Sequence, residues 1–147
     1  MTYVRIPTGR EFEENRELVQ RLNPVALQVL DADAVRDLSA LNGLTKLKRL
    51  FLGRCRELAN VDALAGQSRL EGISFGGCER LADLEAVRNL RMLEFLWLRD
   101  CKGLRNVAGL SGFKGLRDVD LTGCTGLTRE SIDALKAALP DAKIAGP

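Results

Sequence analysis

Cysteine spacing is the sequence feature that most constrains the fold. The cysteines lie at positions 55, 78, 101 and 124, and each interval is 23 residues. The segments LKRLFLGRC, LEGISFGGC, LEFLWLRDC and LRDVDLTGC end on them and share the pattern L-x-x-L-x-L-x-x-C. A fixed period of this size predicts one structural unit repeated along the chain. The same register extends to both termini, so we predict a single domain over 1–147 with units starting at 1, 24, 47, 70, 93, 116 and 139.

Each repeat alternates apolar and other residues with the period of a strand. Leu50 and Leu52 should therefore point into a core, while Arg49, Phe51 and Gly53 point out. One unit cannot bury its apolar side alone, so stacked units must share a core. We predict an inward row, called here the rung, formed by Val4, Leu27, Leu50, Ile73, Leu96 and Val119. In the final unit the same step places Leu139, Ala142 and Ile144 in the slots of Leu116, Val119 and Leu121.

The segments between strands predict narrow turns and two capping helices. Leu58, Val61 and Leu64 recur at every third residue, which suits 3₁₀-like turns on the side opposite the sheet and a gently curved arc. Thr8 and Glu11 form a capping box before a helix from about 9 to 22, with its core-facing residues at Phe12, Val19 and Leu22. A second helix should begin after the N-cap Thr128 and stop at Pro140. Two caps favour a complete small protein over a slice of a longer array.

The repeats resemble those of the leucine-rich-repeat superfamily over all 147 residues. The form C-x-x-L-x-x-V/L is similar to repeats of plant and bacterial nucleotide-binding immune receptors. The segments 122–128 and 139–144 also resemble the cysteine-containing repeats of ubiquitin-ligase substrate receptors. The resemblance implies an α/β leucine-rich-repeat solenoid, a curved right-handed superhelix with a parallel concave sheet of about seven short strands and helical caps at both ends. It also implies binding on the concave sheet. The sequence contains neither a phosphate-binding P-loop motif nor an F-box-like segment, so the activities of those larger proteins are not implied.

The cysteine count also raises the possibility of a zinc site or disulfides. In the superfamily, however, this slot holds a small buried donor to the backbone of the turn. Structural zinc needs thiolates converging at about 2.3 Å, whereas stacked units spread sulfurs along an axis at roughly 4.8 Å steps. We therefore predict a structural cysteine ladder and no metal, formed by Cys55, Cys78, Cys101 and Cys124.

Composition argues against several classes of function. The formal net charge is +2, with 22 basic and 20 acidic residues, which is too balanced for a general nucleic-acid or membrane attraction. The absence of histidine removes imidazole bases and mixed Cys/His metal sites. No apolar run reaches the roughly 18 residues of a membrane span, and the first residues do not read as a signal peptide. We expect a cytoplasmic protein that is not an enzyme, needs no cofactor, and binds neither nucleic acid nor membrane.

Two further patterns could carry chemistry, and for both we favour a plainer interpretation. Gly53, Gly76–77 and Gly123 follow strands, as a phosphate loop would, but no helix start or lysine follows at the needed spacing, so turn geometry is preferred. Asp118 and Asp120 face one side of a strand and could form an acid/base pair, but we expect a solvated acidic patch on an open sheet.

The predicted concave face carries the candidate binding residues. Its centre column runs Gln28, Phe51, Ser74, Trp97 and Asp120, and the adjacent column runs Ala26, Arg49, Gly72, Phe95 and Asp118. Exposed aromatic residues with neighbouring arginines are typical of binding hot spots. The partner-binding set that we predict is Arg49, Phe51, Ser74, Phe95, Trp97, Arg99, Asp118 and Asp120.

Shape and charge refine this prediction. Gly72, Gly76 and Gly77 should leave one strand bare and form a shallow groove between Phe51 and Trp97. Charge should run from basic (Lys48, Arg49, Arg54) through Arg99 and Asp100 to acidic (Asp118, Asp120), which suits a protein partner. Under the alternative, the aromatic rings only pack on each other and the charges only solvate the sheet.

The sequence leads to a protein-binding module as the main functional hypothesis. One specific form is a bacterial immunity or adaptor protein that covers a partner, for instance a toxin encoded by a neighbouring gene. Another is the sensor region of an immune-type receptor with a role in defence. Because exposed aromatic residues could also serve self-association, a homodimerising structural protein is a third; we expect a monomer or a weak homodimer.

Overall fold

The computed structural model of the chain describes residues 2–147 and shows one continuous parallel sheet. Met1, which we placed in the first unit, lies outside the described residues. Seven strands follow one another in sequence order across the sheet. They are β1 (Tyr3–Thr8), β2 (Ala26–Asp31), β3 (Arg49–Leu52), β4 (Gly72–Gly76), β5 (Phe95–Arg99), β6 (Asp118–Asp120) and β7 (Lys143–Ala145).

The register of the sheet follows the sequence period from β1 to β6. Tyr3 pairs with Ala26, Ala26 with Arg49, and so on to Asp118, so that each step is 23 residues. This register aligns the predicted rung from Val4 to Val119 along one row. Leu27, Leu50, Ile73, Leu96 and Val119 are completely buried, and Val4 packs against the core from the end. The predicted shared core is therefore confirmed.

Short 3₁₀ helices occupy the side of the molecule opposite the sheet, as predicted. They span Ser39–Leu41, Asp62–Gly66, Glu85–Val87 and Ala108–Gly112. Each is preceded by an Asp or Asn whose side chain accepts a hydrogen bond from the backbone N–H two residues later. These residues, Asp37, Asn60, Asp83 and Asn106, also recur every 23 positions. They start each turn by satisfying a backbone donor that would otherwise lack a partner.

The C-terminal cap shifts the register of the last strand. Ile144 pairs with Val119 and not beside Leu121, so the offset between β6 and β7 is 25 residues. Our placement of Leu139, Ala142 and Ile144 in the final unit was therefore displaced by two residues. The cause is the helix α3 (Arg129–Ala138), which replaces a 3₁₀ turn in this unit. Its N-cap is Thr128, as predicted, whose hydroxyl accepts the Ser131 N–H at 3.2 Å.

The N-terminal cap is two helices and not one. The helices α1 (Gly9–Glu14) and α2 (Arg16–Leu22) are separated at Asn15, where the backbone leaves helical geometry. Thr8 caps α1 as predicted, accepting the Glu11 N–H at 3.1 Å. Phe12 and Val19 are buried, but Leu22 is 44% exposed and does not belong to the core. The break at Asn15 rotates α2, so the helical spacing from Phe12 to Leu22 is not continuous.

No helix in the described residues is long and apolar enough to cross a membrane.

The residue before each cysteine has left-handed backbone geometry. Gly77 and Gly123 have φ of 66° and 78°, and Arg54 and Asp100 both have φ of 56°. The predicted turn role is thus confirmed for Gly77 and Gly123. Gly53 has a different reason, because a Cβ there would lie 2.3 Å from the Leu30 carbonyl oxygen. Arg54 and Asp100 adopt the same turn at a conformational cost that glycine avoids.

The cysteines are buried thiols at the same position of four successive units. All four are free and completely buried. The Cys55 Sγ donates to the Leu52 carbonyl at 3.3 Å, and the Cys124 Sγ donates to the Leu98 carbonyl at 2.7 Å. Hydrogen bonds with the thiols of Cys101 and Cys55, together with burial, raise the pKa of Cys78. A hydrogen bond with Cys101 and burial likewise raise the pKa of Cys124. These surroundings favour the inert protonated thiol at both positions. Hydrogen bonds with Cys124 and Cys78 lower the pKa of Cys101, so at that position complete burial, and not protonation, keeps reagents away.

Slow modification by a thiol reagent is the expected consequence. In the native protein none of the four cysteines should react in the time that labels all of them in protein unfolded with guanidinium chloride. Mass spectrometry of protein quenched at intervals would count the adducts, and the unfolded sample serves as the control for reagent activity. Rapid native labelling of several positions would contradict the ladder.

Candidate functional site

The surface opposite the core, called here the open face, is made by alternate residues of the strands. Its central column is Arg5, Gln28, Phe51, Ser74, Trp97, Asp120 and Ala145. Its second column is Tyr3, Ala26, Arg49, Gly72, Phe95, Asp118 and Lys143. Arg99, paired with Gly76, lies in the third column. All eight residues that we predicted for partner binding thus lie on the open face.

An aromatic stack, defined by Phe51, Phe95 and Trp97, crosses the middle of the open face. The ring centroids of Phe51 and Phe95 are 6.2 Å apart, and those of Phe95 and Trp97 are 4.7 Å apart. The rings therefore do pack on one another, as the alternative interpretation predicted. Packing does not cover the indole, however, because Trp97 remains 37% exposed while Phe51 and Phe95 are half-buried.

Gly72 makes room for the centre of this stack. A Cβ on Gly72 would lie 1.9 Å from Cζ of Phe95, so the phenyl ring occupies the space above the glycine. Our prediction that Gly72 leaves its strand bare was therefore wrong. The period places Phe95 directly beside Gly72 on the neighbouring strand, and a large ring leans into the gap that a missing side chain leaves. As a result, Gly72 is itself buried.

A groove of about 660 Å³ lies beside the aromatic stack. The groove passes between Phe51 and Trp97, over Ser74 and Gly76. The predicted groove therefore exists, but of the three glycines predicted for its floor only Gly76 lines it. Six predicted residues line it, namely Phe51, Ser74, Trp97, Arg99, Asp118 and Asp120. Arg49 and Phe95 lie outside the lining. Thr122 and Lys143 line the groove and were not among the predicted residues.

Lys143 was missed because of the register shift at β7. A constant step of 23 from Asp118 leads to Asp141, whereas the structure pairs Asp118 with Lys143. The length of the predicted helix before this strand was the available signal, since an α-helix in place of a 3₁₀ turn changes the length of the unit. The same shift adds a cation at the end of the face that we predicted to be acidic.

Arg99 and Asp120 form the most closely coupled polar pair of the groove. The Arg99 Nε donates to the Asp120 Oδ2 at 2.5 Å, and the Thr122 N–H donates to the Asp120 Oδ1 at 3.0 Å. Asp120 is only 8% exposed, so our prediction of a solvated carboxylate was wrong for this residue. Burial alone would raise the pKa of Asp120, but the hydrogen bonds from Thr122 and Arg99 outweigh it and hold the pKa below its usual value.

Ion pairing also weakens the predicted charge gradient. Lys48 Nζ lies 3.1 Å from a Glu71 carboxylate oxygen, and Arg54 Nη1 lies 3.4 Å from Asp31 Oδ2. These two cations of the basic end are thereby paired. Within residues 2–147, Arg5 and Arg49 form no ion pair and both are exposed. The basic character of this half of the face therefore rests on Arg5 and Arg49.

The polar groups of the groove are partly occupied by hydrogen bonds within the chain. Both oxygens of Asp120 accept hydrogen bonds within the chain, and its lowered pKa makes this carboxylate a weaker base than an ordinary aspartate. Among the described residues, no group of three or more potential metal ligands converges at one point. The arrangement offers an exposed indole, a fixed guanidinium and small polar side chains on a stiff sheet.

Replacing Gly72 tests whether the position of the Phe95 ring depends on the absence of a side chain beneath it. In Gly72→Ala the new methyl group must displace the Phe95 ring, so we expect a loss of about 1–3 kcal/mol in the free energy of unfolding. We also expect altered fluorescence from Trp97, the single tryptophan. Gly66→Ala is the matched control, because a Cβ there meets nothing within 4 Å. Equal stability of both variants would show that the ring does not depend on the glycine.

Acid unfolding tests the environment of Asp120. A pKa lowered in the folded state stabilises the protein above the unfolded value of about 3.9, and this stabilisation disappears as the pH falls through the folded pKa. We therefore expect Asp120→Asn to cost about 1.5–3 kcal/mol near pH 7, and the difference from wild type to shrink below about pH 4. Denaturant titrations at several pH values would measure it. Asp33→Asn removes an exposed carboxylate paired with Arg56 and should cost much less; a constant difference for Asp120→Asn at all pH values would contradict the assignment.

Comparison with known proteins supports the architecture. No family model matches the sequence, and neither does any curated protein. The leucine-rich repeat domain of the type III effector XopL superimposes with a TM-score of 0.61 and 25% sequence identity, over 76% of this chain and 38% of that one. An internalin from Listeria monocytogenes gives a TM-score of 0.59 and 17% identity, over 86% of this chain and 42% of that one. The chain thus spans less than half the length of either structure. Together with the sheet topology and the repeat period, these likenesses identify the chain as a leucine-rich-repeat solenoid.

Proposed function

We propose that this protein is a non-catalytic protein-binding module that uses its open face, the face predicted to be concave. The observation that carries the proposal is the exposed Trp97 beside the groove. The Trp97 indole is 37% exposed, and it is not part of the buried core. Core packing therefore does not explain why this position carries so large a side chain. Tryptophan at a rigid, partly desolvated site is the residue most often responsible for binding energy between proteins.

The aromatic stack supports this function by fixing the position of the indole. Trp97 contacts Phe95 at 4.7 Å between ring centroids, and Phe95 is seated over Gly72. The side chain is therefore held before any partner arrives. A prearranged anchor loses less conformational entropy on binding, which increases affinity without new contacts. The rings that pack on one another are thus compatible with recognition.

The charges of the open face suit a protein better than a nucleic acid. The cations in its three columns are Arg5, Arg49, Arg99 and Lys143, and its anions are Asp118 and Asp120. Nucleic-acid binding through phosphates needs a larger excess of basic residues along the contact surface. A mixed face with an aromatic centre is typical of protein interfaces.

For the biological role, we propose an immunity or adaptor protein that covers a partner. A sensor region of an immune-type receptor is the second candidate, suggested by the resemblance of the C-x-x-L-x-x-V/L repeats to those of such receptors. In that case further segments would act on the signal that this domain receives. The neighbouring genes distinguish the two: a toxin gene supports the first role, and an adjoining signalling domain supports the second.

Affinity capture tests the proposal directly. We expect wild-type protein to retain a specific protein from native cell lysate, and the Phe51→Ala/Trp97→Ala double variant to lose it, because truncating a hot spot costs about 2 kcal/mol or more. Mass spectrometry identifies the retained protein. Met92→Ala is the matched control, since Met92 is a large exposed apolar residue that does not line the groove.

Stability measurements keep this test interpretable. Trp97→Ala should lower the melting temperature only slightly, because it removes one aromatic contact worth about 0.5–1.5 kcal/mol. Equal retention by wild type and the double variant would move the function to another surface. Capture of the protein's own chain would favour the homodimer. A large loss of stability with unchanged binding would show that the indole serves packing alone.

A further inference from the structure

Arg99 has unused hydrogen-bonding capacity in the groove. Its Nε is occupied by the Asp120 Oδ2 at 2.5 Å, but within residues 2–147 its Nη1 and Nη2 atoms have no hydrogen-bond partner. The side chain is 71% exposed, whereas that of Asp120 is 12% exposed. The guanidinium is therefore anchored at one edge, and its terminal edge remains open to a ligand.

The anchoring carboxylate is itself fixed by the fold. The Thr122 N–H donates to the second oxygen of Asp120 at 3.0 Å. This bond keeps the carboxylate from rotating to accept hydrogen bonds from the Nη atoms of Arg99 as well. A planar guanidinium offers its paired Nη donors in a geometry that matches the two oxygens of a carboxylate. Fixing the side chain in advance reduces the entropy lost when such a ligand binds. Asp120 is thus a positioning residue for Arg99.

We propose, resting on the function proposed above, that the partner inserts an acidic segment whose aspartate or glutamate carboxylate binds the Nη edge of Arg99. An apolar side chain of the same segment lies against Trp97 and Phe51. The charge of the open face supports an acidic occupant. Arg5 and Arg49 are also exposed, and in the described residues neither forms an ion pair. The negative charge of Asp118 is offset by Lys143, its register neighbour on β7. The groove thus recognises a carboxylate beside an apolar group.

Peptide selection tests this specificity without a known partner. A random peptide library displayed on phage is selected against the immobilised full chain. We expect the enriched peptides to share an Asp or Glu next to an aromatic or aliphatic residue. The best peptide is then synthesised with a fluorophore, and its dissociation constant is measured by fluorescence anisotropy, which also serves the variant that lacks Trp97, the single tryptophan of the chain.

Substitutions then assign the contact. Arg99→Gln should weaken peptide binding by about tenfold to a hundredfold, the loss typical of a charge-assisted hydrogen bond. Arg99→Lys should not restore it, because an ammonium cannot form the paired contact. Asp120→Asn should weaken binding less than Arg99→Gln, by releasing the guanidinium. Arg80→Gln is the matched control, since Arg80 is an exposed arginine that pairs with Glu57 outside the groove lining.

A double-mutant cycle distinguishes a direct contact from a general charge effect. Replacing the peptide carboxylate by its amide should weaken binding to wild type as much as Arg99→Gln does, and should have little further effect on the Arg99→Gln variant. Additive losses would overturn the proposed contact. So would enriched peptides that lack an acidic residue, no enrichment at all, or preferential binding of a single-stranded oligonucleotide.

The results separate this inference from the proposed function. If the enriched peptides lack acidic residues but bind the Phe51→Ala/Trp97→Ala variant less tightly, the result supports the binding face and overturns the carboxylate contact. If neither set of substitutions affects peptide binding, both the binding face and the carboxylate contact are overturned. Melting temperatures of all variants are measured alongside, and the Arg99 variants should lose less stability than Asp120→Asn, because Asp120 keeps its hydrogen bond from the Thr122 N–H.

Discussion

Hydrogen bonds between parallel strands at an offset of 23 residues from β1 to β6 hold this molecule together, and the core and the open face both depend on that offset. It brings Leu27, Leu50, Ile73 and Leu96 into one buried row. A single unit would leave these side chains in water, so each unit is stable only against its neighbours. The same offset aligns the buried thiols and the Asp and Asn residues that begin the 3₁₀ turns. Small deviations in one unit therefore change the position of everything beyond it.

That constraint leaves the open face free to vary. Because the core uses only alternate residues of each strand, the remaining positions carry arginine, glycine, phenylalanine and aspartate in adjacent repeats without disturbing the rung. Their contacts still follow the register, since neighbouring strands bring Gly72 beside Phe95 and Trp97 beside Asp120. The stiffness of the sheet fixes the distances between these groups. Side chains on such a face are prearranged by the core beneath them.

Sequence reasoning succeeded where a residue's role follows from the period and failed where it follows from a neighbour's size or charge. The rung and the buried cysteines were predictable because each repeats every 23 positions. The ring of Phe95 over Gly72 was not, because it depends on how one large side chain fills a particular gap. The burial of Asp120 required knowing that Arg99 and Thr122 both reach it. The shift at β7 followed from the added length of α3, which the period alone does not contain.

Asp120 connects the stability of the fold to the chemistry of the groove, whereas Arg99 belongs mainly to the groove. The carboxylate is buried and shared between a backbone N–H and a guanidinium, so its loss affects both folding and the orientation of Arg99. Arg99 is exposed over most of its length, and Asp120 keeps its hydrogen bond from the Thr122 N–H when Arg99 is replaced, so the loss of stability should be smaller at position 99 than at position 120. Under the proposed function, variation at position 99 would change which partner binds at a lower cost to the fold than variation at position 120. Variation at position 120 affects both, so specificity in this scaffold is expected to change through the arginine before the aspartate.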